Sequence, residues 1–168
     1  MKNKKFEDII KELIPYLVVI IVVVLIKVYI FSPIRVQGNS MDDTLSNGDI
    51  MILDEISYRF KDIKRFDIVV IKTKNDFLIK RVVGLPGEKV KYKNNKLFIN
   101  NKYVEEEFNH SKTDDFEEVI LDKDEYFVLG DNRVVSMDSR YFGAFTKKEI
   151  KGHTNLTLFP FKRIGIKK

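Results

Sequence analysis

Cysteine is absent from the chain, and histidine occurs only as His110 and His153. The absence of cysteine excludes disulfide bonds, thiolate nucleophiles and cysteine-ligated metals. A histidine triad or a histidine metal site would have to be built from those two residues. The chain also lacks a Lys/Arg block of the kind that binds nucleic acid. Its net charge of +5 is diffuse, which argues against nucleic acid and fits contact with anionic lipid head groups.

A long apolar segment lies near the N-terminus: residues 13–31 are apolar apart from Lys27. As a helix they would extend about 28 Å, close to the hydrocarbon thickness of a bilayer. Four lysines precede the segment, whereas Arg35 is the only basic residue among the next twenty. The positive-inside rule therefore predicts a cytoplasmic N-terminus at 1–12, a transmembrane anchor at 13–31 and an extracytoplasmic domain at 32–168.

Two other interpretations of the apolar segment are a cleaved signal peptide and a buried core helix. The sequence from Phe31 to Val36 offers no small-residue cleavage site of the A-x-A kind. A core helix that is apolar on every face would need a larger protein around it. We therefore expect a single-pass membrane anchor.

Short strands separated by turn signals follow the anchor, so the expected fold class is mainly β, a sheet sandwich or partly closed barrel. Pro86-Gly87 predicts a type II turn. Residues 105–124 are acidic and polar, and we expect an exposed loop or a weakly ordered cap there, within a small cap at about 92–124. The candidate strands are Ile50–Asp54, Ile68–Lys72, Leu78–Val83, Val90–Tyr92, Lys96–Ile99, Tyr126–Leu129 and Asn155–Leu158.

The first segment that could carry chemistry surrounds Ser40. Gly38 lets the backbone pass close to another group, and Ser40 begins a short turn. With Asp43 three residues later, Ser40 also fits an S-x-x-D capping box. The two interpretations can coexist, because a nucleophile at a helix start would place backbone N–H groups where an oxyanion forms.

The second segment, Asp76–Gly84, carries two adjacent cations on an apolar strand. Lys80 and Arg81 point to opposite faces, so at least one basic group is drawn into apolar surroundings. Burial disfavours a charged ammonium and lowers its pKa, which a lysine needs to accept a proton near neutral pH. The alternative is an edge-strand lysine whose ammonium reaches solvent.

The third segment, Gly130–Gly143, is a polar loop bounded by glycines after a predicted strand. Such loops are often functional. The alternative is a structural loop held by Asx turns and Asp–Arg pairs.

The order and spacing of these segments resemble bacterial type I signal peptidases along nearly the whole chain. The resemblance rests on the anchor, Ser40-Met41 followed by Thr44-Leu45, the Lys80–Glu88 stretch, and Gly130-Asp131-Asn132-Arg133 with Ser136–Arg140. It implies a membrane-bound serine endopeptidase that removes signal peptides from secreted preproteins, with no metal or cofactor. The substrate would carry small residues before the cut and would add as an extended peptide to a strand edge.

The resemblance also implies roles for individual residues. Ser40 would be the nucleophile, with its amide as an oxyanion donor, and Lys80 would be the general base. Ser136 would hydrogen-bond and orient the Lys80 amine. Gly38 and Met41 would lie at the substrate, and Met41 and the Phe159–Phe161 segment would touch the membrane. The residues that would brace the site through ion pairs are Arg81, Asp131, Asp138 and Arg140.

Two positions depart from the family pattern. Asp43 stands where the family usually has proline, and we expect its carboxylate to face solvent or to cap backbone amides. Some relatives have a hydroxyl two residues before the nucleophile, where this chain has Gly38, so that second oxyanion donor is expected to be absent or to come from elsewhere. Lysine at position 80 disfavours the subtype that uses histidine as the base.

Two competing hypotheses remain at this stage. Self-cleaving repressor-type proteases share a Ser–Lys dyad and a similar β core, but they carry a DNA-binding domain in front and lack a loop like Gly130–Gly143. A catalytically silent, membrane-anchored scaffold is favoured by Asp43. The presence of Ser40, Lys80 and Ser136 argues against it, since nothing structural demands all three.

Overall fold

The computed structural model describes residues 11–24, 31–74 and 76–167. The chain divides into two compact units, Met1–Ser32 and Pro33–Lys168. In the first unit, α1 (residues 11–24) is a helix whose side chains are all exposed. Within the three described ranges, no helix combines the length and the apolar character that crossing a bilayer requires.

The predicted anchor is described only in part. Its residues 25–30 lie outside the described residues, as do residues 1–10 of the predicted cytoplasmic N-terminus. Phe31, the last residue of the predicted anchor, instead begins a strand. Pro33 accounts for the change, because the residue before a proline is driven towards extended backbone.

The larger sheet is curled like half of a barrel and contains eight strands. Its strands are β1 Phe31–Arg35, β2 Ile50–Asp54, β3 Ile68–Lys72, β4 Phe77–Gly84, β9 Glu125–Leu129, β10 Phe145–Thr146, β11 Ile150–Phe159 and β12 Gly165–Ile166. They hydrogen-bond in the order β1-β2-β11-β3-β4-β9-β10, with β12 paired to β11. The pairs β3–β4 and β4–β9 are antiparallel, so β4 lies inside the sheet.

A smaller antiparallel sheet has the order β7-β6-β5-β8. Its strands are β5 Lys89–Lys93, β6 Lys96–Ile99, β7 Lys102–Val104 and β8 Phe116–Ile120. Two one-turn helices, α2 Ser57–Phe60 and α3 Ser139–Phe142, and a 3-10 turn at Phe161–Arg163 complete the described elements. The predicted cap at 92–124 lies largely on this smaller sheet.

Three apolar clusters hold these layers together. One packs against the larger sheet around Val69, Ile71 and Val82. A second joins the two sheets. Gly84 lies at that junction, where a Cβ atom would be 2.5 Å from Val90 Cγ2, so any larger residue would force the sheets apart. The third cluster comprises Val36, Met41, Leu45, Met51 and Ile68.

All seven predicted strands are present, with bounds that agree within a few residues except that β11 begins five residues earlier than predicted. Gly87 has φ of 77°, as the predicted type II turn requires. The strands β1, β7, β8, β10 and β12 were not predicted. β1 contains Pro33, which does not favour a strand prediction. The strands β7, β10 and β12 have only two or three residues each. β8 lies in the acidic stretch for which a loop was expected.

Candidate active site

Ser40 lies on the turn between β1 and β2, and the residue after it fixes that turn to the core. The Met41 side chain is 1% exposed, within the third apolar cluster. Its carbonyl accepts hydrogen bonds from the N–H groups of Thr44 and Leu45 at 3.1 and 2.8 Å. Met41 therefore anchors the turn, and the prediction that it touches the membrane is wrong because its side chain is buried. Its place at the substrate stays a prediction.

Lys80 reaches the same turn from the middle of β4. Its Nζ lies 2.6 Å from Ser40 Oγ. The hydroxyl of Ser40 thus pairs with an amine and not with a backbone amide, so the capping-box alternative is wrong. Lys80 is 3% exposed, which also excludes the alternative of an ammonium that reaches solvent.

Burial lowers the pKa of Lys80 from its ordinary 10.5 to about 8. Removing an ammonium from water disfavours its charged form, which is the largest effect here. The carboxylates of Asp138 and Asp131 act in the opposite direction, and the guanidinium of Arg140 lowers the pKa further. A substantial fraction of Lys80 is therefore neutral near physiological pH and can accept a proton.

The Gly130–Arg133 turn holds the backbone of Ser40. The Asn132 N–H donates a hydrogen bond to the Ser40 carbonyl at 3.1 Å. A Cβ atom on Gly130 would lie 2.3 Å from that carbonyl oxygen and 2.3 Å from Ser136 Oγ. Only glycine fits between these groups, so the close approach of the turn to Ser40 requires it. Sequence reasoning treated Gly130 merely as a loop boundary.

Ser136 is buried against Gly130, but its hydroxyl has no hydrogen-bond partner among the described residues. The predicted hydrogen bond to the Lys80 amine is therefore not formed in this structure. Lys80 Nζ instead contacts Ser40 Oγ. A buried hydroxyl without a hydrogen bond lowers the stability of the fold by about 1–3 kcal/mol. The Ser136 hydroxyl is therefore available to form a hydrogen bond in the site.

Arg81 and Asp131 form a buried bidentate ion pair. Arg81 Nε and Nη2 donate to the two carboxylate oxygens at 2.8 and 2.6 Å, and both side chains are about 1% exposed or less. Thr44 Oγ1 donates to Asp131 Oδ2 at 2.5 Å. Arg81 Nη1 also donates to the Phe66 carbonyl at 3.0 Å. The pair ties β4 to the Ser40 turn, and Thr44 is a contributor that sequence reasoning saw only as part of a motif.

Asp138 and Arg140 form the second brace. Asp138 is fully buried and caps α3, where it accepts from the Arg140 N–H and from Arg140 Nε and Nη2. Its Oδ2 also accepts from the Gly130 N–H at 3.0 Å. Arg140 Nη2 donates to the Arg133 carbonyl at 2.7 Å. These bonds fix the loop beside Lys80, so all four residues predicted to brace the site form ion pairs near Ser40 and Lys80.

A model of the family described as signal peptidase, peptidase S26, matches residues 9–159. The chain belongs to this signal peptidase family. It is 39% identical over 160 residues to signal peptidase I of Bacillus amyloliquefaciens, covering 88% of this chain and 86% of that protein. It is 41% identical over 149 residues to signal peptidase I V of Bacillus subtilis strain 168, covering 79% and 89%.

A solved structure gives the same result for the fold. The crystal structure of a signal peptidase I from Enterococcus faecalis V583 is similar with a TM-score of 0.50 and 32% identity, covering 55% of this chain and 97% of that one. The prediction of a signal peptidase enzyme is thereby confirmed over the repressor-type protease. The mainly β fold class is confirmed as well.

Asp43, the departure from the signal peptidase pattern, is exposed and makes no hydrogen bond to the described residues. The prediction that its carboxylate faces solvent is confirmed. Its φ of 74° is in the left-handed region, which asparagine, aspartate and glycine tolerate and which a proline ring cannot adopt. The turn after Ser40 therefore has a backbone conformation in this signal peptidase that proline would disrupt.

Gly38 and the two histidines each have partners other than Lys80. Gly38 is exposed with φ of 82°, and its N–H donates to Asn47 Oδ1 at 3.1 Å, so it presents no hydroxyl and no free amide to a carbonyl. His110 lies by Glu106 and His153 by Asp54. Among residues 11–24, 31–74 and 76–167, no His/Asp/Glu group is arranged to hold a metal.

Proposed function

We propose that this signal peptidase is a membrane-bound serine endopeptidase that removes N-terminal signal peptides from secreted preproteins with a Ser40–Lys80 dyad. The observation that carries the proposal is the 2.6 Å separation between Ser40 Oγ and a buried Lys80 Nζ whose pKa is lowered to about 8. A nucleophile needs a base within hydrogen-bond distance that is at least partly neutral near the working pH, and this pair meets both requirements.

The reaction proceeds through an acyl-enzyme. Neutral Lys80 takes the proton of Ser40, whose oxygen attacks the scissile carbonyl, and the resulting ammonium returns the proton to the leaving amine. Lys80 then removes a proton from a water molecule that attacks the ester, and it returns this proton to the Ser40 oxygen as the acyl group leaves as a carboxylic acid. The Ser40 N–H donates to the oxyanion. Gly38 adds no donor there, because its N–H is already bonded to Asn47.

The bracing residues keep the two reacting groups together. The Arg81–Asp131 pair fixes the strand that carries Lys80 to the turn that carries Ser40, through Thr44. Asp138 and Arg140 fix the loop that brings Ser136 into the site. The unpaired hydroxyl of Ser136 supports a role in binding and orienting the Lys80 amine when the proton moves from Ser40.

A substrate peptide binds in extended form along β4. β9 pairs with β4 only from Arg81 onward, so β4 has one strand-free side over residues 77–80. An extended peptide there makes backbone hydrogen bonds immediately beside Lys80. Small residues before the cut suit a peptide held this close to the strand.

The membrane brings the enzyme and its substrate together. Residues 13–31 anchor the chain with its N-terminus in the cytoplasm and the catalytic unit outside, so that both partners share one membrane plane and the effective concentration rises. Phe159 and Phe161 are 47% and 78% exposed, which supports contact of this segment with lipid. Neutron or quenching depth measurements that find this segment in water would contradict the contact.

The decisive experiment uses the full chain in detergent or lipid with a preprotein bearing alanine at the third and first positions before the cut. Mass spectrometry identifies the new N-terminus. We expect one cut after the second alanine, lost in Ser40→Ala and in Lys80→Ala. Equal cleavage by wild type and Ser40→Ala would refute the proposed nucleophile.

A further inference from the structure

Residues 105–113, here called the clamp, cross from β7 to β8 without regular secondary structure and bind the Asp131–Arg133 turn at three points. Glu106 Oε1 accepts from Arg133 Nη2 at 2.6 Å, and Thr113 Oγ1 accepts from Arg133 Nη1 at 2.6 Å. The Ser111 N–H donates to the Asp131 carbonyl at 3.0 Å. The side chains of Arg133 and Glu106 are 0% and 5% exposed, so this irregular segment is held to the interior at Glu106. Glu105, Glu107 and Asn109 are exposed, as expected for a loop.

Phe108, in the middle of the clamp, covers the Arg81–Asp131 ion pair. Its ring centroid lies 4.0 Å from Arg81 Cζ, and its ring packs edge-on against Phe66 at 5.2 Å. A guanidinium over an aromatic face at this distance is attracted by the ring and shielded from water. The ring therefore holds Arg81 in the plane that its bidentate bond to Asp131 requires.

The turn that the clamp holds is also the turn that positions the nucleophile. Asn132, between the two clamped residues, donates its N–H to the Ser40 carbonyl at 3.1 Å. Asp131 accepts from Thr44 Oγ1 at 2.5 Å. Both ends of the Ser40–Thr44 turn are therefore held by residues 131–133, and the clamp holds residues 131–133 in turn.

We propose that Phe108 and Glu106 are positioning residues that set the distance between Ser40 and Lys80 from outside the site. The clamp acts through Arg133, Asp131 and Asn132, and it touches neither reacting group. This inference rests on the proposed Ser–Lys mechanism. A misplacement of about 1 Å at a reacting group can cost on the order of a hundredfold in rate, so a small relaxation of the turn has a large effect.

The test compares Phe108→Ala, Phe108→Tyr and Glu106→Gln with Tyr103→Ala in the full chain. Tyr103 is a matched control, because it is an aromatic residue of β7, the strand just before the clamp, and it is 56% exposed and packs on Phe98 and Lys96. A labelled penem that acylates Ser40 counts competent sites at the end point, so that kcat refers to folded molecules. Melting temperatures are recorded alongside.

We expect kcat per titrated site to fall about tenfold or more in Phe108→Ala and Glu106→Gln, with KM within about twofold of wild type. Phe108→Tyr, which keeps the ring face over Arg81, should restore kcat, and Tyr103→Ala should not change it. A kcat for Phe108→Ala within twofold of wild type, at any melting temperature, would overturn the inference, as would a loss confined to KM. Cleavage that survives Ser40→Ala would refute the proposed mechanism itself, and loss in Ser40→Ala without loss in Phe108→Ala would refute the clamp alone.

Discussion

Replacing Lys80 by methionine should abolish peptidase activity and, at neutral pH, make the folded protein more stable. Lys80 is 3% exposed, and burial lowers its pKa from 10.5 to about 8. This shift of about two and a half units corresponds to roughly 3 kcal/mol by which folding disfavours the charged lysine. Methionine fills a similar volume without a charge, so it removes that cost.

The expected gain depends on pH with a definite sign. Below about pH 8 the lysine is charged in the folded and unfolded chains alike, and the wild-type protein bears the full cost. Between pH 8 and 10.5 the unfolded chain binds more protons than the folded one, so wild-type stability rises with pH. The advantage of Lys80→Met should therefore shrink across that window. Loss of the hydrogen bond to Ser40 offsets about 1 kcal/mol, leaving about 2 kcal/mol at pH 7.

The assay is denaturant unfolding of the full chain in mild detergent at pH 7 to 10, followed by fluorescence of the seven tyrosines. Lys93→Met is the matched control, because Lys93 is an exposed strand residue. Its difference from wild type should not change with pH. The reasoning would be refuted if Lys80→Met were less stable than wild type at pH 7 and the difference were the same at pH 10.

Further predictions concern the pH dependence of activity and substitutions at Gly130, Gly84 and Asp43. Because Lys80 must be neutral to act as a base and its pKa is about 8, kcat/KM should rise with pH up to about 8 and then level off, and a profile that levels off below pH 6 would exclude it as the base. Gly130→Ala should lose activity about a hundredfold, because its Cβ would lie 2.3 Å from the Ser40 carbonyl. Gly84→Ala, which is also overpacked but far from Ser40 in its contacts, should lose about 1–3 kcal/mol of stability and keep its kcat per folded molecule. Asp43→Pro should lower activity and the melting temperature although it restores the family's usual residue, because proline cannot adopt the φ of 74° at this position. Asp43→Gly should leave both nearly unchanged, because glycine adopts this φ readily. A fully active Asp43→Pro would show that the turn adopts another backbone conformation.

The strands could be predicted because their signals are local. Ile68–Lys72 and Lys96–Ile99 have the expected bounds, since β-branched and apolar residues between turn signals already favour extended backbone. β8 could not be predicted in this way, because its acidic sequence Phe116–Ile120 pairs with β5 through contacts that are distant in the chain. The curl of the larger sheet likewise depends on register shifts that no short segment encodes.

The candidate site could likewise be predicted only in part. The resemblance identified the motifs of Ser40 and Lys80, but the residue types alone left each with a structural alternative. Met41 was misplaced, because apolar character does not tell a core residue from an exposed one. The clamp could not be predicted, because Glu106 lies in an acidic stretch whose composition is typical of a surface loop. Glu106 is buried only because it forms an ion pair with Arg133, which is distant in the sequence.

Asp131 and its partners Thr44 and Arg81 are far apart in the sequence, and this separation affects when the enzyme becomes competent during synthesis. Thr44 meets Asp131 across 87 positions, whereas Ser40 meets Lys80 across 40. A chain that emerges N-terminus first exposes both members of the proposed Ser40–Lys80 dyad well before Asp131, which ties the Ser40 turn to the strand of Lys80. Catalytic competence is therefore acquired late, after most of the polypeptide has left the ribosome, and a nascent or prematurely terminated chain lacks the contacts that would let it cleave its neighbours.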